Sequence, residues 1–195
     1  MRPVRFGPVN PLASKCGTTS HGGMDPGRED QLTFAKHFER AQGWLLLENH
    51  AAATRALGLI PPAFRRRPEV EQFRAQLHLS AGNWRQAEPI LRRLRKEEPA
   101  EPQHSISLAF AVRRAKSIGA AEKILLEARE RFPEVAIIWF NLACYAAQQE
   151  RFADACDWLR EANHREDGVR ELAKTDSDLV PFWNAVATGA VATPW

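Results

Sequence analysis

Four alanines, Ala41, Ala75, Ala109 and Ala143, stand 34 residues apart in one column. A second column at the same spacing holds Ala53, Ala87, Ala121 and Ala155, and a third holds Leu57, Leu91, Leu125 and Leu159. His50, Trp84, Ile118 and Phe152 form a fourth, mostly bulky and apolar, while Pro99 and Pro133 close two of the units. Such a period restricts a chain to stacked copies of one supersecondary unit, because a single copy cannot bury its own apolar face. Inside each copy, apolar residues recur every three or four positions and β-branched residues are sparse, the pattern of amphipathic helices. One period accommodates two antiparallel helices and a short turn. Ala at fixed points marks where helix axes approach to about 8–10 Å, too close for a larger side chain. The Leu column fills the adjacent hole, each buried Leu contributing about 1.5–3 kcal/mol.

The inter-helix turns fall in register at Asn49, Gly82–Asn83, Lys116–Ser117 and Glu150–Arg151. Asn and Ser there suit the cap of the second helix, and Gly82 suits the left-handed residue that ends the first. Some positions depart from the pattern. Arg40 and Arg74 occupy the column of Leu108 and Leu142, Ile60 and Leu94 replace Ala128 and Ala162, and IPPAFRRRPEV replaces a single closing Pro. The first unit is therefore the most degenerate.

These columns resemble the tetratricopeptide repeat family, whose signature sets a Trp, Leu and small residue on the first helix and Ala, an aromatic or Leu, Ala and a closing Pro around the second. The best copy is Trp139, Asn141, Leu142 and Ala143, followed by Phe152, Ala155, Leu159 and Ala162. The segment NLACYAAQ (Asn141–Gln148) also resembles the closing repeat of many uncharacterised bacterial proteins of this family. The resemblance implies an all-α fold, a right-handed superhelix of antiparallel helix pairs. Units are expected at about 34–67, 68–101, 102–135 and 136–168, inside a repeat domain spanning 30–168.

Residues 1–29, rich in Pro and Gly, read as a flexible tail that buries too little apolar surface to offset its ordering entropy, with Met24 as a second potential start. Beyond the repeats, 169–188 is expected to cap the last apolar face with Leu172, Leu179, Phe182 and Trp183, and 189–195 to fray. The first residues lack the unbroken apolar run of a secretory signal, and no run of apolar residues is long enough to span a bilayer. A cytoplasmic address without membrane contact is the expectation.

Enzymatic chemistry finds no support in the text. The six histidines stand singly, no phosphate-binding glycine loop or nucleophile elbow is present, and the paired carboxylates read as solvated helix surface. Three cysteines match no zinc spacing and make no disulfide framework. Cys144 and Cys156 are expected as small packing residues on opposite sides of one helix pair, and Cys16 as part of the tail. No metal or other cofactor is expected.

The expected function is a non-catalytic protein-interaction module or scaffold. The resemblance places Phe38 and Gln42, Gln72 and Gln76, Ile106 and Phe110, and Phe140 and Cys144 on the concave face. Asn141 belongs to the same wall, with Arg113, Arg114 and Gln148 toward the helix ends. Such a groove, partly apolar with amides and a basic edge, suits a peptide or partner helix. The carboxylate-clamp subclass that holds chaperone tails is disfavoured. Its inner positions map onto Phe38, Gln42, Phe73, Gln103 and Ser107, or onto Gln72, Gln76, Ser107, Ile137 and Asn141, and neither row contains Lys or Arg. One alternative is a nucleic-acid-binding repeat using Arg65–Arg67, Arg92–Lys96 and Arg113–Arg114, although a net charge of +3 is modest for that role. A secretion-type chaperone is the other, and a homo-oligomer fits the same surfaces.

Overall fold

Helix is the only regular structure among the described residues, 26–195 of the computed structural model. The chain divides into two compact units, one ending at Phe73 and the other running from Arg74 to Trp195.

In the first unit, α1 (Pro26–Leu46) packs on α2 (His50–Gly58), which is followed by a 3₁₀ turn at Pro62–Phe64. Asn49 caps α2, its side-chain oxygen accepting from the Ala52 amide at 3.0 Å. Ala41, Ala53, Leu57, Ile60 and Phe64 are buried. Phe34 and Phe64 stack with centroids 5.0 Å apart, and the Arg67 guanidinium lies 4.3 Å from the Phe64 centroid. Arg65 donates to the carbonyls of Gly58 and Ile60, satisfying the end of α2. Two arginines of the first basic run thus close this unit. Because α1 begins at Pro26, residues 26–29 are helical and not the end of a tail. The rest of that expected tail, with Cys16, His21 and Met24, lies outside the described residues.

The helix α3 (Pro68–Ser80) leads to α4 (Trp84–Glu97), α5 (Pro102–Ala115), α6 (Ile118–Arg131), α7 (Ala136–Gln148) and α8 (Phe152–Arg165). Pro68, Pro102 and Ala136 open three first helices, and Trp84, Ile118 and Phe152 open three second helices, each at the repeat interval. In the second unit α4 packs on α5, α5 on α6, α6 on α7 and α7 on α8. This is the helix-pair packing of an α-solenoid. Ala75, Ala87, Leu91, Ala109, Ala121, Leu125, Ala143, Ala155 and Leu159 are all buried, so small residues line the helix crossings and leucines the holes beside them.

Two arginines repeat at the same interval. Arg131 donates to the Pro99 carbonyl at 2.8 Å, and Arg165 to the Pro133 carbonyl at 2.5 Å. Each ties the end of a second helix to the proline turn of the preceding copy. Ser117 caps α6 through its hydroxyl, whereas Asn83 makes no side-chain cap to α4. There the chain relies on Gly82, at φ +72°, to turn.

The C-terminal segment folds back. After α8 come α9 (Val169–Thr175), a 3₁₀ turn at Ser177–Leu179, and α10 (Val180–Ala187). The turn and α10 pack on α7, and α9 on α8. Leu179 and Phe182 are fully buried, but Leu172 is 45% exposed, because Val169 and Ala173 take the inward face of α9. The last residues are packed where the sequence suggested fraying. Trp195 sits 5.7 Å from Trp183, Pro194 is buried with its carbonyl accepting from Arg160, and the Cys156 thiol reaches the Ala192 carbonyl. Three apolar residues, Val191, Pro194 and Trp195, supply the surface that anchors this end. No helix of the described residues is long and apolar enough to cross a membrane.

Candidate interaction surface

Helix α5 carries the centre of the expected groove in the second unit. Ile106 and Phe110 are one turn apart on it and both are half-buried. The Phe110 ring meets Trp84 edge-on at 5.4 Å, and the Arg114 guanidinium lies 5.6 Å from Phe110 and 5.9 Å from Trp84. This arrangement leaves two aromatic rings and a cation at the surface together. Gln76 and Asn141, two more residues of the expected inner face, are also half-buried.

Beyond Phe110 the expected groove is filled by the chain itself. Phe140 and Cys144, expected to face a partner, are 3% and 2% exposed. Their surface is covered because the 3₁₀ turn and α10 lie against α7. Arg113 is engaged as well: it donates twice to Asp178, at 2.5 and 2.9 Å, while its guanidinium stands 5.1 Å from the Tyr145 centroid. Gln148 donates its amide to the Asp178 carbonyl at 2.8 Å. Asp176 holds the turn in shape by accepting from the Asp178 amide at 2.8 Å. Arg113 and Gln148 of the expected partner surface therefore bind an internal segment, and Phe140 and Cys144 are buried.

In the first unit, Phe38 stacks on Phe34 at 5.5 Å and meets Phe73 edge-on at 5.5 Å. Gln42 and Gln72 are half-buried. Nothing in the sequence pattern marks Trp84 or Asp178 as forming a surface, or the buried Tyr145 as lying beneath Arg113. Trp84 stands out in the sequence only as a bulky column residue.

The Cys144 thiol and the carboxylates of Asp176 and Asp178 place one donor atom each within 4.8 Å of one another. Arg113 already occupies both oxygens of Asp178, which makes this group a salt-bridged clasp and opposes a cation there. Burial, reinforced by the two carboxylates, pushes the Cys144 thiol well above its usual range. It is protonated at neutral pH and a poor nucleophile. Cys156 is likewise buried, reduced and raised by its burial.

Several cations on the helix surfaces pair with carboxylates. Arg92 donates to Glu88 at 2.8 Å, Lys116 to the same oxygen at 2.7 Å, and Arg95 to Glu127 at 2.7 Å. On α7 and α8, Trp139 and Trp158 pack 5.5 Å apart, with Arg165 at 4.1 Å over Trp139 and Arg129 at 5.2 Å over Trp158. Trp139 also donates to the Pro133 carbonyl, so this cluster serves the junction between copies.

No curated protein matches the chain. Residues 74–130 and 111–167 each match the model of the tetratricopeptide repeat family. Repeats of this family generally mediate protein–protein interaction and are typically non-catalytic. With the helix pairs, the buried alanine columns and the family match in agreement, residues 74–167 belong to the tetratricopeptide repeat family.

Proposed function

We propose that the chain is a non-catalytic interaction module whose inner helix row, centred on Ile106 and Phe110 with Arg114 at its edge, engages a segment of a partner protein. One observation carries the reading: Phe110 and Trp84 remain half-buried, edge to face, beneath a cationic side chain, on a helix whose other faces are packed. Aromatic anchors and arginine concentrate binding energy at protein interfaces. The amides of Gln76 and Asn141 suit the backbone of an extended segment. In the first unit, Phe38, Gln42 and Gln72 are the corresponding candidates.

The enclosed, protonated Cys144 supports a binding role over a catalytic one. The pairing of Arg92 and Arg95 with carboxylates supports a protein partner over a nucleic acid. Partners captured by the full-length protein, quantified by mass spectrometry, test the proposal against Phe110→Ala and Ile106→Glu variants of verified melting temperature. Both variants should lose the specific partner at least tenfold. Full retention by both would contradict the reading.

A further inference from the structure

Asp178 reaches Arg113 across 65 positions of chain and accepts from both of its terminal nitrogens, one on each carboxylate oxygen. The three contacts that fix the turn are directional and polar: the two Arg113 hydrogen bonds and the Gln148 amide on the Asp178 carbonyl. Immediately after it, Leu179 is buried completely against the same helix row. The site thus reads an acidic side chain followed by an aliphatic one. That is a binding geometry for a short segment, and the segment now in it happens to be tethered.

The tether has its own anchors elsewhere. Trp183 donates to the Ala173 carbonyl within the C-terminal segment, while Ala192 and Pro194 bind Cys156 and Arg160 of α8. The chain end is thus held on α8 by bonds that do not involve Arg113. Arg113 and Asp178 each keep 13% of their side-chain surface exposed, so a competing carboxylate has a route to the pair.

We propose that Asp176–Leu179 is an internal pseudo-ligand that closes the far end of the partner groove, and that a partner segment with an Asp or Glu followed by an aliphatic residue replaces it on Arg113 and Gln148. This rests on the inner row being the partner surface. It adds the chemistry of one subsite and the means of its regulation.

The probe is a labelled peptide of the chain's own sequence, Lys174–Trp183, followed by fluorescence anisotropy. It is titrated into three full-length proteins: wild type, D178N/L179S, and D178N/L179S/R113Q, each checked by circular dichroism and thermal melting. The double variant should bind at least tenfold more tightly than wild type, and the added R113Q should abolish the gain. A folded double variant that binds no better than wild type, or a triple variant that keeps the gain, overturns the proposal. If the double variant does not fold, deuterium uptake of full-length D178N decides. Uptake at 176–182 at least tenfold faster than in wild type, with α7 unchanged, supports it, and equal uptake overturns it. A partner captured through Phe110 with the same yield in D178N leaves the interaction reading standing and removes only the pseudo-ligand.

Discussion

Arg113 on α5 and Asp178 in the 3₁₀ turn after α9 share two hydrogen bonds of 2.5 and 2.9 Å. The pair is mostly buried, so removing one partner leaves the other charge enclosed beside Asp176 and Cys144. Arg113→Gln should therefore cost about 1–3 kcal/mol, above the range of an exposed ion pair and below that of a fully enclosed one. A double-mutant cycle with Asp178→Asn, read by chemical denaturation, should return a coupling of about 1 kcal/mol or more. Additive effects would mean that the pair does not hold the turn.

The alanine columns leave no room for growth. Ala121 and Ala155 are fully buried where helices cross, so Ala121→Leu or Ala155→Trp forces displaced side chains and backbone. Overpacking of this kind costs roughly 1–3 kcal/mol, with more expected for Trp. Thermal melting should show a clear loss for both, while Ala153→Leu, at an exposed position on α8, should change little.

Glu150 ends its helix turn at φ +58°, a conformation that glycine adopts freely and other residues do not. It is exposed and has no packing role to lose. Glu150→Gly should therefore stabilise the protein by about 0.5–1 kcal/mol, and Gly82→Ala, at φ +72°, should destabilise it by a similar amount. Denaturation midpoints of the two variants should move in opposite directions.

Two carboxylates give opposite pH signatures. Hydrogen bonding from Lys116, together with Arg92, holds Glu88 below the usual carboxylate range. Its contribution is fully present above the ordinary value of an unfolded glutamate and is lost as pH falls through the lower folded value. The stability gap between wild type and Glu88→Gln should accordingly shrink below about pH 4. Burial raises Asp176 instead, and its charged form costs stability at neutral pH. Asp176→Asn should be neutral or stabilising at pH 7, an advantage that disappears as pH falls through the raised value and wild-type Asp176 protonates. Melts across pH 3–7 separate the two.

The periodic part of the architecture was legible because packing at a helix crossing admits few residue types. Ala and Leu at fixed intervals specify the pairs, and the turn at Gly82 is legible from its chemistry. Glu48 and Glu150 share the Gly82 column and its left-handed backbone, at φ +56° and +58°, but Glu carries no signal for that conformation. The bonds from Arg131 to Pro99 and Arg165 to Pro133 repeat with the period, yet they read as surface charge until the helix ends are placed. The expected partner face was legible only as a row of positions. What covers Phe140 and Cys144 depends on a contact between Arg113 and Asp178 that lies outside the repeat, where periodicity has no information. The terminal Trp195 was misjudged for the same reason, since its partners Trp183 and Arg170 stand beyond the last repeat.

We propose that a partner binds at the surface around Phe110. Site-specific photo-crosslinking tests it most directly, with the photoreactive residue placed at Phe110 or at Lys123, exposed on the second helix α6. A discrete adduct from Phe110 that Arg114→Glu abolishes is expected, with none from Lys123. Equal adducts from both positions, or an adduct from Lys123 alone, would contradict it.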